Sequence, residues 1–220
     1  MFLIDIDDAQ QDVVDRGPRY NIAPTQSIDS VIQIAGQHRQ AVKLRWGLVP
    51  SWANDLSIGN RMINARGETV DLKPSFRKAF AQRRCLIPAD GYYEWKKVAD
   101  GKQPYLIHRD DDAVIAMAGL WEENKKANSG DTIVRSCTII TTNANDTTKE
   151  IHDRMPVILQ PADFDRWLDP NFHDTDRLKS MLKPAPDTLL RCDAVSRRVN
   201  RPTNDDASCI EPPPSDTLFD

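Results

Sequence analysis

Two strand-like runs follow one another in the segment Cys85-Leu86-Ile87-Pro88-Ala89-Asp90-Gly91-Tyr92-Tyr93-Glu94-Trp95-Lys96. The first run is apolar, and the second places one carboxylate, Glu94, between aromatic side chains. A carboxyl group held against apolar rings loses hydration, which raises its pKa towards a range useful for proton transfer. Glu94 is therefore a candidate acid or base. The alternative is a surface glutamate beside two aromatic residues of the core.

Short strands and a few helices are predicted on both sides of this segment. Alternation and β-type composition predict further strands over residues 30–34, 41–49, 105–108, 114–120 and 133–141, with 125–131 as a hairpin loop. Helices are predicted over 73–83, 161–168 and 175–182. The pattern predicts an α+β fold: a single domain with a curved, barrel-like mixed β-sheet core flanked by a few helices.

The length of 220 residues suits one domain with a substantial core, assigned here to residues 1–212. Residues 213–220 are expected to form a flexible acidic tail, because the proline run at their start cannot pack regularly. A chain with 29 Lys and Arg against 33 Asp and Glu is not a general nucleic-acid coat. A local basic groove is still possible, since electrostatic steering depends on where the charges lie.

The cysteine pattern argues against a zinc ribbon or a disulfide framework. The four cysteines, Cys85, Cys137, Cys192 and Cys209, include no CxxC pair, and the histidines show no metal-type spacing with them. This usage fits a reducing cytoplasm, and we expect no metal and no cofactor. No apolar run is long enough for a transmembrane helix, and the acidic start is not a secretory signal.

Three further segments carry candidate functional side chains. In Met62-Ile63-Asn64-Ala65-Arg66-Gly67-Glu68-Thr69, Asn64 follows two apolar residues, so its amide could point into a cleft. On a strand, Arg66 shares a face with Asn64 and can hold a phosphate with its planar fork. The alternative is a turn-forming asparagine beside a solvated arginine.

The second of these segments is Glu150-Ile151-His152-Asp153-Arg154-Met155-Pro156-Val157. The imidazole of His152 can titrate near neutrality and transfer protons, and Arg154 follows it by two residues. A capping or core histidine is the alternative.

The third segment, Leu44-Arg45-Trp46-Gly47-Leu48-Val49-Pro50-Ser51-Trp52, suggests a rigid aromatic platform, and stacking on a base contributes about 1–3 kcal/mol. Trp46 is assigned to the core and Trp52 to stacking.

Taken in order, these motifs closely resemble the SOS-response-associated peptidase (SRAP) family. The matching segments are Arg19-Tyr20-Asn21-Ile22-Ala23-Pro24, Trp46–Trp52, Ile63–Thr69, Cys85–Trp95, Ile151–Pro156 and the closing run Val195-Ser196-Arg197-Arg198-Val199-Asn200. The resemblance covers about residues 19–212 and rests on several ordered motifs.

The resemblance implies a DNA-damage protein of the SOS response. Members bind single-stranded DNA at abasic sites and attach to the sugar aldehyde through an N-terminal cysteine, whose amine and thiol close a thiazolidine. A self-processing peptidase step is associated with this chemistry. By resemblance, Asn64, Glu94 and His152 would be catalytic, whereas Trp52, Arg66 and Arg154 would bind DNA. A cytoplasmic monomer without membrane contact is expected.

The sequence departs from the family at its start. The family opens Met-Cys-Gly-Arg, whereas this chain opens Met1-Phe2-Leu3-Ile4 and has its first cysteine at Cys85. Three alternatives remain open: a truncated lead whose cysteine precedes Met1, a non-covalent single-stranded DNA-binding pseudoenzyme, or Schiff-base lyase chemistry by the Met1 amine. A general protease using Cys85 and His152 is disfavoured, because an apolar run disfavours the thiolate.

Overall fold

The computed structural model describes residues 17–127 and 132–214. Its strands are β1 Ser27–Gln33, β2 Arg39–Trp46, β3 Asn64–Arg66, β4 Arg84–Ala89, β5 Gly91–Val98, β6 Gly101–Arg109, β7 Ile115–Asn124, β8 Val134–Asn143, β9 Arg154–Pro156 and β10 Leu190–Ala194. Its α-helices are α1 Arg77–Gln82, α2 Phe164–Leu168 and α3 Thr175–Ser180. Short 3-10 helices cover Leu56–Arg61, Pro161–Asp163, Asp187–Leu189, Arg197–Asn200 and Ala207–Cys209.

Five of these strands close into a mixed barrel, in the order β2-β1-β4-β7-β8. A parallel pairing of β2 with β8, through Arg45 with Ser136 and Trp46 with Cys137, completes the ring. Closure removes the free edges that an open sheet would expose. The α+β fold and the curved, barrel-like mixed sheet predicted from the sequence are therefore confirmed.

Both faces of several barrel strands are buried, which explains their continuous apolar runs. On β4, Cys85 and Ile87 belong to one hydrophobic cluster, while Leu86 between them belongs to another. The cluster of Leu86 also contains Phe80 of α1 and Trp167 of α2. The helices therefore cover the outer face of the barrel wall, and the cluster of Cys85 fills the other face.

A second sheet, in the order β10-β6-β5, carries Glu94. Strand β5 puts Tyr93 and Trp95 on one face, where both pack against a small cluster that contains Val195 and Val199. Tyr92 packs against the cluster of Cys85 instead. Because side chains alternate along a strand, Glu94 shares its face with Tyr92 and is directed towards that larger cluster.

The segment Arg19–Pro24 has a structural role. The buried amide of Asn21 donates to the backbone oxygens of Val199 (3.0 Å), Arg201 (3.1 Å) and Asn204 (2.9 Å). The carboxylate of Asp205 accepts from the backbone N–H of Asn21 at 2.8 Å. The segment therefore fastens the beginning of the described chain to its closing turns.

Strand β9 was not predicted, because it has only three residues and is held by its neighbour β8 rather than by its own pattern. Strand β3 is equally short and is also held by β8, and it was assumed only in assigning Asn64 and Arg66 to one face. Strand β10, which pairs with β6, was also not predicted.

Within the described residues, no helix has the length and apolar character needed to span a membrane. The predicted acidic tail lies mostly outside those residues.

Candidate functional site

Glu94 lies half-buried on β5, opposite Tyr105 of β6. Burial raises the pKa of its carboxyl above the usual glutamate value, and the charge of nearby Asp153 acts in the same direction. The charges of His152 and Lys102 lower that pKa in part. The charge of His152 therefore acts on Glu94, although the two residues are distant in sequence.

His152 lies in the turn that precedes β9. Its backbone N–H donates to the oxygen of Thr148 at 3.1 Å, and its Nδ1 accepts from the backbone N–H of Arg154 at 3.1 Å. An N–H group can only donate, so this contact needs Nδ1 without a proton. The same Nδ1 lies 3.3 Å from the backbone oxygen of Arg154 and 3.3 Å from Oδ1 of Asp153, and these contacts need a proton on it. The His152 side chain is 44% exposed, so a ligand can reach the ring.

Asn64 and Arg66 occupy the exposed face of β3. Ala65 between them is buried, so the predicted shared face of the two polar side chains is confirmed. The strand is held in place by β8, where Arg66 pairs with Thr141, and by Trp46, whose Nε1 donates to the oxygen of Ile63 at 2.9 Å. Within residues 17–127 and 132–214, neither the Asn64 amide nor the Arg66 guanidinium has a hydrogen-bond partner, so both can bind a ligand.

Arg154 has its terminal donors occupied. Its Nη1 donates to Oε1 of Glu68 at 2.6 Å and to Oδ1 of Asn143 at 2.8 Å. Its Nη2 donates to Oε2 of Glu68 at 2.9 Å and to the backbone oxygen of Thr141 at 2.8 Å. The Nε is buried and has no partner among the described residues. A phosphate can therefore reach this guanidinium only if one of these acceptors leaves.

The loop that carries Trp52 is tightly fixed. Gly47 has φ +122°, and a Cβ there would lie 2.6 Å from the backbone oxygen of Gly59, so only glycine fits. The Asn124 amide donates to the oxygens of Pro50 (2.6 Å) and Ala53 (2.9 Å). Trp52 itself is 54% exposed, as a stacking residue requires.

Two of the predicted site residues pair with the end of β8: Arg66 with Thr141, and Arg154 with Asn143. Glu94 and His152 interact electrostatically, and Arg154 connects the turn of His152 to Glu68, which follows Asn64 and Arg66. Trp52 is connected less directly, because its loop is joined to the segment before Asn64 by a hydrogen bond from Leu48 N–H to Met62 O at 3.0 Å.

Four residues near the candidate site were not predicted from the sequence: Glu68, Asn143, Thr141 and Lys102. Glu68 carried a signal, because it continues the every-second-residue pattern of Asn64 and Arg66 in a segment already singled out. Asn143 and Thr141 carried none, since an ordinary β8 strand gives no indication that its end would receive Arg154.

Cys85 is fully buried, and burial raises the pKa of its thiol well above the usual cysteine value. An inert buried thiol cannot serve as an exposed nucleophile for other proteins. The structure therefore gives no support to a Cys85–His152 protease. Among the residues that the structure describes, no group of three or more His, Cys, Asp and Glu side chains is arranged to hold a metal ion.

Comparison with known proteins places this site in a family context. A family model described as SOS response associated peptidase (SRAP) matches residues 4–202. The abasic site processing protein YoqW of Bacillus subtilis is 44% identical over 195 residues, covering 88% of this chain and 86% of that protein. The abasic site processing protein HMCES of Gallus gallus is 29% identical, covering 89% and 66% respectively.

A crystal structure of a protein from Bacteroides thetaiotaomicron has the same fold. It superposes with a TM-score of 0.74 at 27% sequence identity, and the match covers 86% of this chain and 82% of that one. A phage-related protein from Bordetella bronchiseptica matches with a TM-score of 0.65 at 33% identity, covering 82% and 83%.

Proposed function

The chain belongs to the SOS response associated peptidase family, and from this premise we propose that it processes abasic sites in single-stranded DNA with Asn64, Glu94 and His152. The observation that carries the proposal is the half-buried carboxyl of Glu94, whose pKa is raised by burial beside the imidazole of His152. A carboxyl beside an imidazole supplies the groups that general acid–base catalysis uses.

The chemistry begins with the closed sugar of the abasic site. Glu94 donates a proton to the ring oxygen as the bond from C1 to that oxygen breaks. His152 accepts the proton of the C1 hydroxyl, and C1 becomes an aldehyde. A neutral α-amine adds to this carbon and water leaves, which gives a Schiff base. The thiol of the same residue then adds to the Schiff-base carbon and closes a five-membered thiazolidine, helped by its close attachment.

Each candidate residue has a separate role in this scheme. His152 accepts or returns protons at the opened sugar, and the free amide of Asn64 holds a sugar oxygen. The exposed Trp52 stacks on a neighbouring base. Arg66 and Arg154 contact the phosphates that flank the lesion, so binding should weaken with added salt. The same groups would serve a self-processing step that removes a leading residue.

The covalent step needs a cysteine that carries a free α-amine, and none of the four cysteines in this sequence is N-terminal. Non-covalent binding of single-stranded DNA, which needs no such cysteine, is the second candidate function. We further propose a cytoplasmic monomer in which residues 1–212 form the functional unit and residues 213–220 are an acidic tail. Four free thiols are compatible with a reducing compartment.

A denaturing gel distinguishes the two candidates. This chain, and a version that begins Met-Cys-Gly-Arg ahead of the same residues, are each mixed with single-stranded DNA carrying one abasic site. A matched DNA with an intact base is the control. We expect a shifted covalent band only for the cysteine-bearing version and only with the lesion.

Two other outcomes of this gel are informative. Native binding without a covalent band in either version would favour the non-covalent candidate. If neither version forms a covalent band or binds the lesion DNA, the proposed function is wrong.

A further inference from the structure

We propose that Glu68 occupies, in the DNA-free protein, the position that a DNA phosphate takes on Arg154, and that the bound strand displaces it. The inference rests on the proposed function, since it concerns the phosphate contacts of the same site. It makes Glu68 a positioning residue: it shapes the site for a phosphate but touches neither the lesion nor the strand.

Arg154 has few donors left for a phosphate. A guanidinium has five N–H donors. Four are engaged: two by the carboxylate of Glu68, at 2.6 and 2.9 Å, and one each by Asn143 and Thr141, both at 2.8 Å. The fifth, on Nε, is buried. A phosphate that receives hydrogen bonds from Arg154 must therefore replace one of these acceptors.

Of these acceptors, Glu68 is the one that can leave. Thr141 accepts through its backbone oxygen within β8, which the sheet holds in place. Asn143 accepts a single hydrogen through its side-chain Oδ1, so its departure would leave both oxygens of the Glu68 carboxylate on Arg154. Glu68 lies beyond the end of β3, and its side chain is 47% exposed, so it can rotate into solvent and free both terminal nitrogens at once.

The site that Glu68 would leave behind has the shape that a phosphate needs. The carboxylate of Glu68 receives one hydrogen from Nη1 and one from Nη2, which is the paired geometry that a phosphate also accepts. Asn143 and Thr141 would continue to hold the other two hydrogens, so the guanidinium would keep its orientation. The hydrogen bonds from Arg154 lower the pKa of Glu68, and the charges of Arg154 and Arg66 add to this effect, so the two arginines already act on a single anion.

Displacement of an internal anion has a consequence for selectivity. A single phosphate must compete with a carboxylate that is already in place, whereas a strand that also contacts Asn64, Arg66 and Trp52 gains from several interactions at once. We therefore expect the occupied site to disfavour small phosphates and to favour a correctly placed strand.

The test measures dissociation constants for an intact single-stranded oligonucleotide, at several salt concentrations, by fluorescence anisotropy. In the protein with Glu68→Gln the internal anion is gone, and we expect binding to be about tenfold tighter at low salt. The matched control is Glu123→Gln. It changes the net charge equally but lies near the start of β8, where Glu123 pairs with Arg135, and it should change binding less than twofold.

A double variant tests whether the tighter binding depends on Arg154. In protein that carries Arg154→Ala, adding Glu68→Gln should bring at most the small gain of the control, because no guanidinium is released. Weaker binding by Glu68→Gln, or a gain no larger than that of Glu123→Gln, would overturn the inference. A thermal melt of each variant confirms that the folded protein is compared.

The inference and the proposed function can fail separately. An intact oligonucleotide reports on phosphate contacts, whereas the covalent gel reports on the lesion. Tighter binding by Glu68→Gln with no lesion-dependent product from the cysteine-bearing version would preserve the inference and reject the lesion chemistry. A lesion-dependent product without tighter binding by Glu68→Gln would reject the inference and preserve the lesion chemistry.

Discussion

Replacing Glu94 by glutamine in the cysteine-bearing version is expected to slow covalent attachment to an abasic site by a factor of about 10²–10⁴, the usual contribution of a general acid or base. Glutamine keeps the size and the polarity of the side chain but can neither give nor take the proton at the ring oxygen. The rate of appearance of the shifted band in a denaturing gel measures the effect.

The pH dependence gives this prediction a second readout. Burial raises the pKa of Glu94, so the protonated form that donates to the sugar persists to higher pH than for an ordinary glutamate. The rate should therefore fall as pH rises through this pKa, and that limb should be absent from the profile of Glu94→Gln. Glu123→Gln should leave both rate and profile unchanged.

Stability provides the control for folding. The pKa of Glu94 is higher in the folded than in the unfolded chain, so the unfolded state releases the proton first. The free energy of unfolding therefore falls as pH rises from the ordinary glutamate range through the raised pKa. Glutamine cannot ionise, so it removes this fall in the free energy of unfolding. Glu94→Gln should therefore be at least as stable at neutral pH as the protein with Glu94. A slow and unstable variant would contradict the assigned role.

Replacing Arg84 by methionine is expected to lower the free energy of unfolding by about 3–5 kcal/mol, because buried carbonyl groups lose their partner. The Arg84 side chain is 1% exposed and donates to five backbone oxygens, those of Phe80, Ala81, Trp167, Asp169 and Phe172. It therefore ties the end of α1 to the segment after α2. Methionine fills the space but offers no donor.

The charge of Arg84 persists in this setting. Burial lowers the pKa of its guanidinium to about 10, which leaves the group protonated at neutral pH. Urea unfolding measures the loss of stability, and Arg77→Met on the exposed surface of α1 is the matched control, expected to change stability by less than about 0.5 kcal/mol. A loss below about 1 kcal/mol for Arg84→Met would show that water replaces the missing donors.

The fold class could be predicted because the barrel strands are long enough to show a β pattern. The run from Cys85 to Ile87 indicated a strand even though it does not alternate, since both of its faces are buried. Strand β9 could not be predicted in this way. Its three residues, Arg154–Pro156, form a strand only because the end of β8 offers them free backbone groups.

Part of the site could be predicted from local spacing. The shared face of Asn64 and Arg66 follows from strand geometry, and the burial of Glu94 follows from its aromatic neighbours. The ion pair of Arg154 with Glu68 could not be predicted, because it joins residues 86 positions apart in the chain. The role of Asn21 was equally hidden, since its hydrogen-bond partners lie about 180 residues later. The catalytic and DNA-binding roles themselves remain predictions.

The most direct test of the account is a nuclear magnetic resonance titration of this protein with a single-stranded oligonucleotide that carries one abasic site. The account predicts that the largest chemical-shift changes fall on Asn64, Arg66, Glu94, His152 and Arg154, including the side-chain amide of Asn64 and the imidazole of His152. Changes concentrated elsewhere, for example around His108 and Asp193, with these five residues unmoved, would contradict it.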